Sequence, residues 1–168
     1  MIKKIRIVKV NSNYCDFLRK YDKRVPYNAG EKELRPFIGI LFEIENCQYF
    51  APLSSPKPKH IKLLNTLDLI KIDGGKLGVI NLNNMLPVHN NNYELIDLDK
   101  TNDKRFNHSR IILLRNQLRW LNTNKVEIYK KSTILYKKYV NGLLPVNVMN
   151  RCCDFKLLEE KCREYNNI

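Results

Sequence analysis

The spacing of apolar residues changes along the chain, and three regimes follow from it. Ile5 to Val10 alternates apolar and polar positions, which predicts a first strand with one buried face. A helix is predicted next, with Asn13 as N-cap, Asp16 three residues on, and Tyr14, Phe17, Leu18 and Tyr21 on one face. Pro26 bounds it, and residues 25–35 read as a loop carrying Pro26, Asn28 and Gly30. From Pro36 the period shortens. The runs 36–44 and 48–53 read as a hairpin, and 67–72 and 76–82 face each other across Asp73-Gly74-Gly75. A further strand, 93–98, follows Asn90-Asn91-Asn92. Five or six short strands with tight connections imply a twisted antiparallel sheet or small barrel.

The last third has helical spacing. Ile111, Leu114, Leu118 and Leu121 form one stripe, with Arg110, Arg115 and Arg119 on other faces. Asn124 with Glu127 opens a second helix, whose predicted apolar stripe is Val126, Tyr129, Thr133, Tyr136 and Val140 against a basic stripe of Lys130, Lys131, Lys137 and Lys138. Asp154 caps a third helix, with Phe155, Leu158, Cys162 and Tyr165 inward. Helices around an antiparallel sheet make an α+β fold.

Composition narrows the class. With 43% hydrophobic and 10% aromatic residues, the 168-residue chain is no disordered basic tail. Area scaling buries roughly 70% of the unfolded surface at this size, so one domain over 1–168 is expected. Lys and Arg number 30 against 17 Asp and Glu, a net charge of +13. The excess falls as +6 over residues 1–60, −1 over 61–100 and +8 over 101–168, and it points to a polyanionic partner such as nucleic acid or an anionic membrane surface. No apolar run spans a membrane, and the charged start does not resemble a signal peptide, so a soluble, cytoplasmic protein with no membrane partner is expected. Five cysteines without C-x-x-C spacing read as reduced structural thiols. Three scattered histidines and no carboxylate cluster suggest no metal site, and no cofactor is expected.

The densest chemistry lies in Ala51-Pro52-Leu53-Ser54-Ser55-Pro56-Lys57-Pro58-Lys59-His60. Three prolines stiffen a segment carrying two hydroxyls, two lysines and an imidazole. Metal-free RNA cleavage requires groups of this kind: hydroxyls to position the phosphate, cations for the phosphorane, and an imidazole titrating near neutrality. An exposed Pro-rich loop has the same composition.

The residues of this loop also carry a resemblance. The run Phe37-Ile-Gly-Ile, then Tyr49-Phe-Ala-Pro-Leu-Ser-Ser-Pro-Lys57, then Leu77-Gly-Val-Ile-Asn-Leu-Asn-Asn-Met-Leu-Pro87, and Phe155 through Tyr165, resembles the toxins of type III toxin–antitoxin systems, the ToxN/AbiQ/CptN family, in order over nearly the whole chain. Tyr14, Leu18, Asp22, Val25 and Pro26 fall in the family's Y-x-x-x-L-x-x-x-D-x-x-V-P arrangement. The resemblance implies a phage-resistance endoribonuclease that cuts without metal through 2′-hydroxyl attack, leaving a 2′,3′-cyclic phosphate and a 5′-hydroxyl. It implies inhibition by a repeat-derived pseudoknot RNA in a closed toxin–RNA ring, with no protein antitoxin, and a compact twisted sheet related to Kid and MazF. Ser54, Ser55 and Lys57 take the family's loop positions, with His60 as an auxiliary. Arg35 stands where the family tends to carry lysine, with Lys32 nearby, and Lys59 stands where an aromatic can precede the histidine. Arginine clamps a phosphate but is a poor base, so either Lys32 shifts in or this position is electrostatic throughout.

RNA holding falls by the same reading to Tyr14, Lys32, Lys59, Arg115, Arg119, Trp120, Lys130 and Lys137. Trp120 and Tyr14 also read as core residues, and the lysine stripe as a solvated face. The alternative function is a non-catalytic RNA-binding module built on an SH3-like barrel.

Overall fold

The computed structural model describes residues 3–27 and 35–168. Its strands are β1 (Arg6–Val10), β2 (Phe37–Gly39), β3 (Glu43–Ile44), β4 (Cys47–Ser54), β5 (Leu69–Lys71), β6 (Val79–Asn81), β7 (Leu86–Val88) and β8 (Tyr93–Leu95). All pair antiparallel, in the order β5-β6-β4-β2-β1-β8, while β3 and β7 also pair with β4. Among the described residues β5 and β8 are free ends, so the sheet is open and the expected barrel closure is not met. The eight-residue β4 is the hub. It is long enough to pair β3 and β7 at its start and β2 and β6 at its end, which places Ser54 where several strands converge.

Helix α1 (Ser12–Arg19) is capped by Asn11, whose side-chain oxygen accepts from the Tyr14 N–H, not by Asn13. Its buried face is Tyr14, Cys15 and Leu18, and Tyr21 lies beyond its end, 42% exposed. Helix α3 (His108–Thr123) buries Leu114, Gln117 and Leu121, close to the expected stripe. Its Asn122 side chain exchanges hydrogen bonds with the N–H and C=O of Ile5, fastening α3 to the chain just before β1. Helix α4 (Lys125–Val140) buries Tyr136 as expected but is otherwise rotated from the expected stripe: Ile128, Ser132 and Leu135 are buried with it, while Val126 is 59% exposed. Ser132 sits among apolar neighbours because its hydroxyl returns a hydrogen bond to the Tyr129 carbonyl. Lys131, expected in the basic stripe, folds inward and donates to the Leu69 carbonyl at 2.7 Å.

Helix α6 (Phe155–Asn166) is capped by Asp154 as expected and packs on β7 and β4. Phe155 is fully buried among Tyr49, Tyr136 and Tyr139. Glu159, also fully buried, is satisfied there by the hydroxyls of Tyr49 (2.8 Å) and Tyr136 (2.6 Å) and by Lys156 (2.8 Å). Among the described residues, β7 and the short helices α2 (Pro58–Lys62) and α5 (Val146–Arg151) have no counterpart in the sequence pattern. All five cysteines are free and buried. No helix is long and apolar enough to cross a membrane among the described residues.

The spaced residues from Tyr14 to Val25 are scaffolding. The Tyr14 hydroxyl donates to the Pro87 carbonyl at 2.6 Å. Asp22, nearly buried, accepts from the Asp154 N–H at 2.7 Å and from the Arg24 side chain at 2.8 Å, joining the segment after α1 to the start of α6.

Candidate active site

The segment from Ser54 to His60 leaves the end of β4, and two neighbouring strands bracket its start. Ser54 pairs with Val79 of β6 on one side. On the other, the register Phe37↔Pro52 and Ile38↔Ala51 continues through a bond from the Leu53 N–H to the Pro36 carbonyl (2.9 Å), which carries Arg35 to the level of Ser54. Arg35 is half-buried, and burial lowers its pKa from the usual guanidinium value. Guanidinium stays protonated regardless, so Arg35 carries fixed positive charge on the strand residue level with Ser54. Lys32 lies outside the described residues.

Ser55 and Lys57 are exposed. Lys57 is the N-cap of α2 and Pro58 its first residue, a position where the missing N–H is no loss. The third helical residue, His60, closes the turn: its backbone N–H donates to the Lys57 carbonyl (2.9 Å), and its Nδ1 accepts from the Lys57 N–H (3.1 Å). With Nδ1 accepting, the ring proton sits on Nε2. His60 is only 3% exposed. The imidazole, expected as an auxiliary, holds the Lys57 backbone and is not turned to solvent. Burial first, then the charges of Lys57 and Lys59, lower its pKa from 6.5.

A stability prediction follows from that direction. The unfolded chain takes up a proton at His60 before the folded one does, so folding stability declines as pH falls below about 6.5. His60→Gln, which keeps an acceptor but does not titrate, is expected to show a shallower decline in thermal unfolding between pH 7 and pH 5. An unchanged slope would remove His60 as its source.

The connection between β5 and β6 buttresses this loop. Gly78, at φ +101°, lies so close to the Ser54 and Ser55 backbone that a Cβ would overlap the Ser54 carbonyl. Gly75, at φ +94°, abuts the other end, where a Cβ would come within 2.6 Å of the His60 carbonyl oxygen. Lys71 donates to the carbonyls of Ile61 (2.9 Å) and Leu63 (3.1 Å) at the C-terminus of α2. Gln117 of α3 donates to the Leu77 carbonyl (2.8 Å), fixing the connection from behind. The sequence showed Asp73-Gly74-Gly75 as a turn, but a single chain carries no signal that the turn's backbone supports another loop. Asn81, a polar residue ending an apolar strand, likewise carries no local signal of its contact: it donates from its amide to Ser54 Oγ at 2.8 Å.

Of the expected RNA contacts, Tyr14 lies in the core. It is fully buried, with its ring against Tyr165 and its hydroxyl on Pro87, and burial raises its pKa well above 10.0. Tyr14→Phe is expected to lower stability by about 1–2 kcal/mol by stranding the buried Pro87 carbonyl, seen as a drop of about 2–6 °C in thermal unfolding, with RNA cleavage unchanged. A selective loss of cleavage would return Tyr14 to the site. Trp120 is half-buried and packs against the core. Lys59, Arg119, Lys130 and Lys137 are exposed, and Arg115 pairs with Asp99 at 2.5 Å. Arg115 and Arg119 border hollows that also take Lys4 and, beside Arg115, Arg6. The chain around β1 thus adds cations that sequence spacing did not connect to α3.

A family model described as toxin ToxN of type III toxin–antitoxin systems matches residues 6–163. The endoribonuclease ToxN of Bacillus thuringiensis subsp. kurstaki is 34% identical over 167 residues, covering 93% of this chain and 81% of that protein. The endoribonuclease ToxN of Pectobacterium atrosepticum is 31% identical over 164 residues, covering 93% and 91%. A solved structure concerned with selective toxin inhibition by a non-coding RNA pseudoknot in type III systems superposes with a TM-score of 0.82 at 28% identity, covering 99% of this chain and 100% of that one.

Proposed function

The chain belongs to the ToxN family of type III toxin–antitoxin toxins, and from that premise we propose that it is an endoribonuclease whose cleaving groups are Ser54, Ser55, Lys57 and Arg35. One observation carries the reading: a proline-stiffened loop with two hydroxyls and an exposed lysine is fixed at the end of β4, with a guanidinium brought level with it. The proposed reaction is transesterification. The 2′-hydroxyl gives up its proton and its oxygen bonds to phosphorus, the bond from phosphorus to the 5′-oxygen breaks, and that oxygen takes a proton. The products are a 2′,3′-cyclic phosphate and a 5′-hydroxyl, with no water consumed. Lys57 and Arg35 offset the charge gathering on the phosphorane oxygens, and the serine hydroxyls donate to them. His60 holds the loop, and no metal takes part.

Lys4, Arg6, Arg115 and Arg119 on one side, and Lys59, Lys130 and Lys137, serve RNA holding through phosphate contacts. The partner is a pseudoknot RNA inhibitor, held with the toxin in a closed ring, and the setting is the cytoplasm, in phage defence by one domain. The Kid- and MazF-like ancestry of the sheet belongs to the same proposal, supported by its antiparallel hub on β4.

The test incubates purified protein with A-rich single-stranded RNA in EDTA. Expected are fragments whose 5′ ends accept phosphate from a kinase without prior phosphatase treatment, as 5′-hydroxyls do. Intact RNA with tight binding would overturn the reading in favour of a non-catalytic RNA-binding module.

A further inference from the structure

We infer that Asn81 is a positioning residue for the cleavage reaction, setting the direction in which the Ser54 hydroxyl presents its proton; this rests on the endoribonuclease reading above. Asn81 ends β6, opposite Leu69 of β5 and two residues beyond Val79, the partner of Ser54. It is half-buried, and its Nδ2 lies 2.8 Å from Ser54 Oγ. A serine hydroxyl has one proton and two lone pairs. The Asn81 amide fills one lone pair and leaves the proton uncommitted, and no acceptor among the described residues takes it. Rotation of the hydroxyl is thereby restricted, and its O–H is turned away from the Asn81 amide. An oriented donor stabilises an oxyanion without reorganising at the moment of reaction, whereas a freely rotating one must be ordered each time. The amide has a second effect. Donating to Oγ polarises the hydroxyl and makes it a stronger donor to the phosphate.

Asn81 acts through Ser54 and has no assigned contact with RNA, so its effect vanishes when Ser54 is absent. The experiment is a double-mutant cycle with Asn81→Ala, Ser54→Ala and the pair, read as single-turnover cleavage of A-rich RNA in EDTA across enzyme concentrations. Asn81→Ala is expected to lower the rate at saturation about tenfold to hundredfold, with half-saturation moved less than twofold. The double variant is expected to match Ser54→Ala. An unchanged rate in Asn81→Ala, a loss confined to half-saturation, or a double variant showing the product of the two single losses would overturn the inference. Should Asn81→Ala unfold below the assay temperature, Asn81→Ser takes its place with the same outcomes. Failure of the underlying reading looks different, because the wild-type protein would not cleave, or Ser54→Ala would cleave as well as wild type.

Discussion

Lys57→Ala and Ser55→Ala are each expected to lower RNA cleavage by about 10²–10³-fold, the scale for losing one preorganised donor or cation at an oxyanion, while leaving thermal unfolding unchanged. The second half of the expectation comes from the fold. Lys57 supports α2 through its backbone alone, its N–H to His60 Nδ1 and its carbonyl to the His60 N–H, so truncating the side chain breaks neither bond. Ser55 is exposed, and among the described residues its side chain anchors nothing in the loop. The two losses are expected to combine less than multiplicatively, since both groups act on one phosphate. Growth arrest on induction in cells is the companion readout, and a double variant that still arrests growth would sink the site assignment. Lys57→Arg keeps the charge but changes the donor geometry, and is expected to fall between wild type and Lys57→Ala.

Gly78→Ala is the second large expected effect, and it acts without removing any chemical group. At φ +101° the backbone of residue 78 is outside the region that L side chains occupy comfortably, and the new methyl would meet the Ser54 carbonyl. Strain of about 1–3 kcal/mol is expected, lowering the unfolding temperature by about 3–10 °C. Relief of that clash moves the Ser54-Ser55 backbone, and displacement of about 1 Å at a reacting centre costs on the order of 10²-fold in rate. Gly74→Ala is the control. Gly74 also has positive φ, +64°, but a Cβ there meets nothing within 4 Å, so a stability loss of about 1 kcal/mol and unchanged cleavage are expected. Equal cleavage by the two variants would separate the β5–β6 connection from the site.

The helices and strands that could be located from the chain alone were those whose burial is local in origin. Leu114 and Leu121 of α3 and Phe155, Leu158 and Cys162 of α6 recur at helical spacing and are buried, because a helix laid on a core exposes a fixed stripe of its own residues. The rotation of α4 has a related cause. Tyr136 belongs to both the expected face and the observed one, and its contacts with Tyr49 and Glu159 set the rotation that carries Ile128, Ser132 and Leu135 inward and leaves Val126 and Val140 exposed. β7 is three residues long and owes its existence to pairing with Gln48, Tyr49 and Phe50, nearly forty residues back.

The same division holds at the site. Residue types and order alone determined that this chain carries Ser54, Ser55 and Lys57 in a proline-stiffened loop, an excess of +13, and the motifs of its family, because side-chain chemistry, proline restriction and charge are properties of the residues themselves. Only the tertiary structure decided that Tyr14 is a core strut, that His60 holds a backbone, that Gly75 and Gly78 press against the loop, and that Asn81 meets Ser54. Those outcomes depend on long-range strand pairing, which sets which backbone and which amide come within hydrogen-bond reach, and no local pattern in a single sequence encodes that distance.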